Sequence, residues 1–421
     1  MSEVAGHVDH LFRREAGRLV AALTRALGPE HLDLAEDVVH EAMFAALRTW
    51  PVRGLPDDPV AWLARAARNR ALDEVRHRAM TERTAEAVAR RLAPRASPAG
   101  DEGPPDDVLR MLFMGCHPAL PRDGRLALTL KAVAGLGVGE IARAFLLTPD
   151  AVAQRLVRTK RLVRELGIAF ELPPPAELPA RLDAVLEVLY ALFNEGHVAH
   201  AGEDLVRPDL CDDALRLAGL LTALPATDRP EVHAALALMH LVRARQPART
   251  GPTGELVPLA DQDRAAWDRA HLARGLRHLA RSAAGDVLTR YHLEAEIAAC
   301  HATAPSDAAT DWPRILDRYD ALLALSPPWA PSPVVTLNRA VALARVAGPA
   351  AAIAEVERLR AGGALDRYHL LPATLAALWD QAGAPARAAP LYAEALTLPC
   401  TTPERRLLEA RLARARRREA P

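Results

Sequence analysis

At 421 residues the chain is too long for one ordinary domain, and its 53 basic and 53 acidic side chains cancel, so net charge alone selects no class of partner. Cys116, Cys211, Cys300 and Cys400 stand far apart with no CxxC or Cys/His ligand spacing, which excludes a disulfide framework and a zinc module and points to a reducing compartment. The start, MSEVAGHVDHLFRRE, lacks an apolar signal core and no apolar run reaches 18 residues, so neither a leader nor a membrane span is expected and the location reads as cytoplasmic.

Ala, Leu and Arg dominate, no stretch alternates apolar with polar residues over strand length, and the expected fold class is all-α. Residues 7–27 pattern as a helix with Leu11, Leu19, Leu23 and Leu27 inward, stopped by Gly28-Pro29. In LDLAEDVVHEAMFAALRTWP, Leu34, Val38, Met43, Ala46 and Leu47 give a buried face, while Asp33, Glu36, Asp37, His40 and Glu41 leave an acidic surface. A solvated helix start, where acids suit the dipole, is the alternative for that surface. PVAWLARAARNRALDEVRHRAM makes a third helix with Leu63, Ala67, Ala71 and Val75 on one side. Arg65, Arg68, Asn69 and Arg76 gather on another side, a stripe that is either solvated or a nucleic-acid contact.

Residues 80–105 pass into LAPRASPAGDEGPP and read as a linker. A helical unit begins with DDVLRMLFMGCHPA at Asp106 and continues at Arg125–Ala134. Two short helices joined by a tight turn follow in GLGVGEIARAFLLTPDAVAQRLVRTKRLVRE. Ile141, Ala142 and Phe145 supply the apolar face of the first. Thr148 is placed to cap the second, with Pro149 at its first position and Asp150 near the positive end of its dipole. At about 100° per residue, Val152, Leu156 and Val163 fall on one side, and Asp150, Gln154, Arg158 and Arg161 on the other. Gln154 suits adenine, and Arg155, Arg158 and Arg161 suit guanine or phosphate, as a major-groove helix requires. An ordinary helical hairpin with a solvated basic face is the competing reading.

Taken in order, these stretches resemble the extracytoplasmic-function, or group IV, sigma factors of bacterial RNA polymerase. DLAEDVVHEAMFAALRTWP is similar to sigma region 2.2, PDDPVAWLARAARNRALDEVRHR to regions 2.3 and 2.4, and LPRDGRLALTLKAVAGLGVGEIARAFLLTPDAVAQRLVRTKRLVRE to region 4. The linker is too short to hold a region-three domain. The resemblance implies a region-2 domain at 7–79, a linker at 80–105 and a region-4 helix-turn-helix domain at 106–168. It implies that Asp33, Glu36, Asp37, His40 and Glu41 lie against core RNA polymerase, with His40 where the family usually has Gln. It places Arg65, Arg68, Asn69, Asp73 and Arg76 near the −10 element of promoter DNA, and Gln154, Arg155, Arg158 and Arg161 in the major groove at −35. Trp62 is the main aromatic near the third helix, so strict promoter choice is expected rather than extensive base stacking.

Residues 169–421 have no counterpart in a minimal sigma factor. Ala340, Leu343, Ala352 and Val356 recur as Ala376, Trp379, Ala388 and Tyr392, each 36 positions on, with Gly348 and Gly383 in the turns. This resembles tetratricopeptide repeats, with Ile315, Tyr319 and Leu322 marking an earlier, more degenerate unit, and a generic helical array is the alternative. Together the halves resemble the sigma-factor subgroup with a long C-terminal tetratricopeptide-like extension. LYALFNEG (189–196) and LADQDRAAWDRA (259–270) look like its signatures, with Glu195, Asp261, Asp263, Arg264 and Asp268 read as buried pairs pinning helices together and a partner site as the alternative. The array is expected to take a protein or peptide partner and to modulate activity, with a positive role favoured.

No phosphate-cradling Gly loop, metal-ligand spacing or nucleophile emerges, and His117 beside Cys116 reads as packing. No enzyme, cofactor or metal is expected. The function expected is a promoter-specific sigma factor. The alternatives are a helix-turn-helix regulator not acting through core polymerase, or a helical-repeat interaction scaffold.

Overall fold

Apart from one isolated bridge between Thr250 and Leu256, the regular elements of the described residues are all helical. The computed structural model describes residues 3–77, 105–144, 147–197, 208–252, 254–325 and 332–419. The expected linker thus falls almost wholly outside the described residues, as do Phe145 and the side chain of Leu11. The chain divides into two compact units, Met1–Leu192 and Phe193–Pro421.

In the first unit, α1 (Glu3–Leu27), α2 (Leu32–Arg53) and α3 (Pro59–His77) form one helical group. Leu23 and Leu27 of α1, Leu34, Val38 and Met43 of α2, and Leu63, Ala67, Ala71 and Val75 of α3 are buried, as their spacing predicts. Burying one Leu or Val contributes about 1.5–3 kcal/mol, so this seam holds the three helices together. Leu47 departs from expectation: it is half exposed. Trp50 closes the base of the group against the edge of Trp62, with ring centroids 5.6 Å apart.

The remaining helices of this unit are α4 (Pro105–Gly115), α5 (Arg122–Ala132), α6 (Val138–Ala144), α7 (Pro149–Glu165) and the first part of α8 (Leu178–His197). Leu109, Met111, Leu112, Phe113 and Met114 make α4 buried on nearly every side. Arg181 of α8 donates to the Phe113 carbonyl at 2.8 Å, and Arg122 pairs with Glu187 at 2.6 Å, tying α8 to α4 and α5. Cys116 is enclosed beside Thr129, and burial pushes its thiol up to about 12, which makes it an inert packing group.

The second unit holds α9 (Pro208–Leu220), α10 (Pro230–Arg243), α11 (Arg269–Ser282), α12 (Arg290–Thr303), α13 (Trp312–Leu325), α14 (Pro333–Ala347), α15 (Pro349–Ala361), α16 (Leu370–Gln381), α17 (Pro385–Thr397) and α18 (Thr402–Glu419). The 36-residue recurrence is visible in the packing. Ala340, Ala352 and Val356 sit in the core between α14, α15 and α16, and Ala376, Ala388 and Tyr392 repeat the arrangement one step on. Gly348 and Gly383 turn the chain at φ of 85° and 78°, where a Cβ would be strained. At the start of α18, Thr401 just before the helix and Glu404 form a reciprocal cap, and Arg414 and Arg418 each lie 2.6 Å from the buried Asp380. The arginine-rich end is therefore in part a structural clamp.

Candidate polymerase and DNA interfaces

The helix-turn-helix rests on α6 and α7. Thr148 accepts from the Ala151 amide at 3.2 Å and Pro149 follows, so α7 starts where the sequence predicts. Val152, Leu156, Thr159 and Val163 are buried, which turns the opposite face outward. On that face Ala153, Gln154, Val157, Arg158 and Arg161 line one shallow depression, and Gln154, Arg158 and Arg161 are exposed. Arg161 is steadied by Glu165 one turn on, at 2.6 Å. Arg155 is not part of this face: it points toward α5 and pairs with Asp123 at 3.3 Å. Val157, 67% exposed, stands in the middle of this polar face, where a pattern of charged and amide side chains gives no signal for it.

On α3 the stripe Arg65, Asn69, Asp73 and Arg76 is exposed and Arg68 half-buried. Arg76 lies 3.9 Å from Asp73, too far to fix either side chain. Arg70, on the neighbouring flank, reaches across to Glu41 of α2. The five expected −10 residues therefore share one open helical surface.

The acidic face of α2 is less open than its spacing suggests. Asp37, His40 and Glu41 are exposed, but Glu36 is buried at 5% exposure. Lys160 of α7 lies 2.7 Å from Asp33 and 2.8 Å from Glu36, and Arg164 lies 2.9 Å from Asp33. Burial pushes the Asp33 carboxyl up, yet the hydrogen bonds and charges of Lys160 and Arg164 hold it below the ordinary carboxylate value. Burial would depress Lys160, and Glu36 with Asp33 holds it above the usual ammonium value. Lys131 at the end of α5 meets His40 Nε2 at 3.2 Å. Burial, then the Lys131 charge, lowers His40, which leaves a neutral imidazole to accept from the ammonium. Next to this face Phe44, Leu47 and Val52 are exposed, and Phe44 and Val52 line a depression with Glu41, Arg48 and Arg70. Phe44 sits three residues after Glu41, so helical spacing already placed it beside the acids.

In the C-terminal unit two of the signature acids, Asp263 and Asp268, cap helix starts. Asp263 accepts from the Ala265 amide and Asp268 from those of Ala270 and His271, satisfying helix-start amides that would otherwise be orphaned. Arg264 instead lies over Trp267 and donates to the His301 carbonyl. Among the described residues no group of three or more His, Cys, Asp or Glu is arranged to hold a metal, and no helix is long and apolar enough to cross a membrane.

Comparison with known proteins agrees with this geometry at the N-terminus. Residues 11–81 match sigma-70 region 2, and residues 181–283 match a family of unknown function (DUF6596). An uncharacterized protein of Rhizobium meliloti (strain 1021) is 40% identical over 391 residues, covering 90% of this chain and 90% of that protein. No solved structure matches.

Proposed function

Because the chain belongs to the sigma-70 family, whose members act in transcription initiation by RNA polymerase, we propose that it is a promoter-specific sigma factor of the extracytoplasmic-function type. Core polymerase binds the α2 face around Asp37, His40 and Glu41, the α3 stripe meets the −10 element, and the α7 face reads −35. The observation that carries promoter specificity is α7: a capped helix, buried on one side, presenting Gln154, Arg158 and Arg161 together on the other. A cytoplasmic location follows from this reading.

The test is binding to purified core polymerase. Asp37→Lys/Glu41→Lys reverses two exposed charges and is expected to weaken binding about tenfold without loss of fold. Undiminished binding would count against the assignment.

The C-terminal unit is proposed to modulate this activity in cis, in the positive direction. Stacked helical repeats of this kind present surfaces suited to holding a peptide or helix. Ending the chain after His197 is expected to lower promoter-dependent transcription while sparing core binding. An equally active truncated protein would refute the coupling, and a more active one would reverse its sign.

A further inference from the structure

The loop LADQDRAAWDRA, to which the proposed function gives no task, forms one side of a cavity in the second unit. A space of about 460 Å³ lies between this loop, the end of α12, and helices α13, α14, α16 and α18. That volume suits a small organic molecule. Trp312, Ile315, Leu378 and Leu408 give it apolar walls, and Trp312 is flanked by the His301 ring at 5.2 Å and the Arg345 guanidinium at 4.9 Å. Two polar atoms at the loop end are buried without a hydrogen-bond partner. One is Nδ1 of His301, which lines the cavity, and the other is Nη2 of Arg264, whose Nη1 donates to the His301 carbonyl at 2.5 Å. Buried polar atoms are rarely left unpaired in a native protein, so each marks a place where a partner fits.

The charges around this end are unequal. Of the acids that line the cavity, Asp307 is held by Arg345 at 2.9 Å, Glu404 by the amide and hydroxyl of Thr401 at 2.8 Å, and Asp261 is exposed. Arg245 and Arg264 have no such match: among the described residues neither makes an ion pair with an acid. Burial, then the charge of Arg249, pushes the Arg245 guanidinium down to about 10, and burial, then Arg245, Arg264 and Arg345, pushes His301 down to about 4. His301 is therefore neutral and, with its proton on Nδ1, a donor. Tyr319, also in the lining, has a hydroxyl that burial, then Glu294, pushes up to about 12, which keeps it a donor too. Donors and unmatched positive charge beside an aromatic wall fit an anion carried on an apolar ring.

We infer that this cavity binds a small aromatic carboxylate, with its carboxylate at the end marked by His301 and Arg264 and its ring against Trp312 and Ile315. The site lies wholly within the second unit, so it stands whether or not the first unit serves polymerase. It gives the C-terminal unit a chemical signal to respond to.

The experiment is calorimetric titration of the full-length protein with naphthoate and with naphthamide, which share a ring system and differ in charge. Naphthoate is expected to bind at one site and about tenfold more tightly than the amide, the value of one charge-assisted hydrogen bond. Arg245→Met removes a charge that has no acid partner and keeps an unbranched apolar side chain in its place. It is expected to raise the melting temperature and to erase the preference for the anion. Val341→Trp, at a lining position that is 40% exposed and so tolerant of bulk, is expected to abolish binding of both probes with the arginines untouched. No saturable binding of naphthoate, equal affinity for the two probes, or a preference that survives Arg245→Met would overturn the inference. So would a Val341→Trp protein that binds naphthoate as the parent does. A phenylalanine-terminated tripeptide binding more tightly than naphthoate would assign the cavity to a peptide end and overturn it as well.

Discussion

Lys160 and Glu36, 124 positions apart, meet at 2.8 Å with Glu36 almost wholly buried. Helix α7, the proposed recognition helix, is thereby held to a helix of the sigma region-2 match by a pair that solvent barely reaches. The sequence shows these residues as members of two separate surface patterns, one acidic and one basic.

The charge states of this contact set its pH range. Asp33 titrates below its ordinary value of 3.8, so its contribution is present above that pH and is lost as pH falls through the lower folded value. Lys160 titrates above 10.5, so its contribution is present below that pH and is lost as pH rises through the higher folded value. Lys160→Met removes one partner and strands Glu36, at a cost of about 3 kcal/mol. The difference in melting temperature between the parent and Lys160→Met is therefore expected to stay constant across the neutral range and to shrink only near those extremes. A difference that varies steeply around neutrality would show that other groups govern the contact.

Val157 gives the α7 face an apolar member where a thymine C5-methyl can be read. Replacing thymine by uracil in the −35 element deletes that methyl and nothing else. The parent is expected to lose about fourfold in affinity at one such position, the value of one buried methyl, and Val157→Ala is expected to be indifferent to the same replacement. Gln154→Ala and Arg158→Ala should each relax one base preference, at about 1–3 kcal/mol. A uracil penalty equal in the parent and Val157→Ala would remove Val157 from the readout.

The C-terminal unit carries an acid-sensitive seam. His240 and His271 face each other through Nδ1 atoms 2.9 Å apart, as do His233 and His278 at 2.8 Å, between α10 and α11. Each contact needs one ring nitrogen protonated and the other bare, so the pairs are stable with neutral rings. Burial, then the charges of His271 and His278, pushes His240 down to about 3, and burial, then His233, pushes His278 to about 4. The unfolded chain takes up these protons near 6.5 and the folded one resists, so stability falls as pH drops from about 6.5 toward 4. For the buried His240 the slope approaches about 1.4 kcal/mol per pH unit, and it is smaller for the more exposed His278. His240→Leu/His271→Leu replaces both members of one pair and should flatten the melting temperature between pH 4.5 and 6.5. An unchanged slope would place the acid sensitivity elsewhere.

The helices, the cap at Thr148 and the repeat were legible because each depends on local spacing or on recurrence. Val152, Leu156 and Val163 had to be buried once α7 was a helix, and Gly348 and Gly383 had to lie in turns once the repeat was seen. Arg155, Glu36 and Leu47 were misplaced for the opposite reason. Their surroundings come from residues distant in sequence, or, for Leu47, from a neighbour that never arrives, and no periodicity reports either. The acids Asp263 and Asp268 show a third limit. An Asp before a helix start satisfies backbone amides at short range, and that option won over the ion pair expected from composition.

Run-off transcription on fragments of the host genome decides whether this chain directs core RNA polymerase to chosen start sites, as proposed. Core polymerase supplemented with the full-length protein is expected to give discrete transcripts from a small set of fragments that core alone does not transcribe, and Gln154→Ala/Arg158→Ala is expected to lose them. Transcripts absent from every fragment although the protein is bound to core, or the same transcripts with and without it, would show that it does not select start sites.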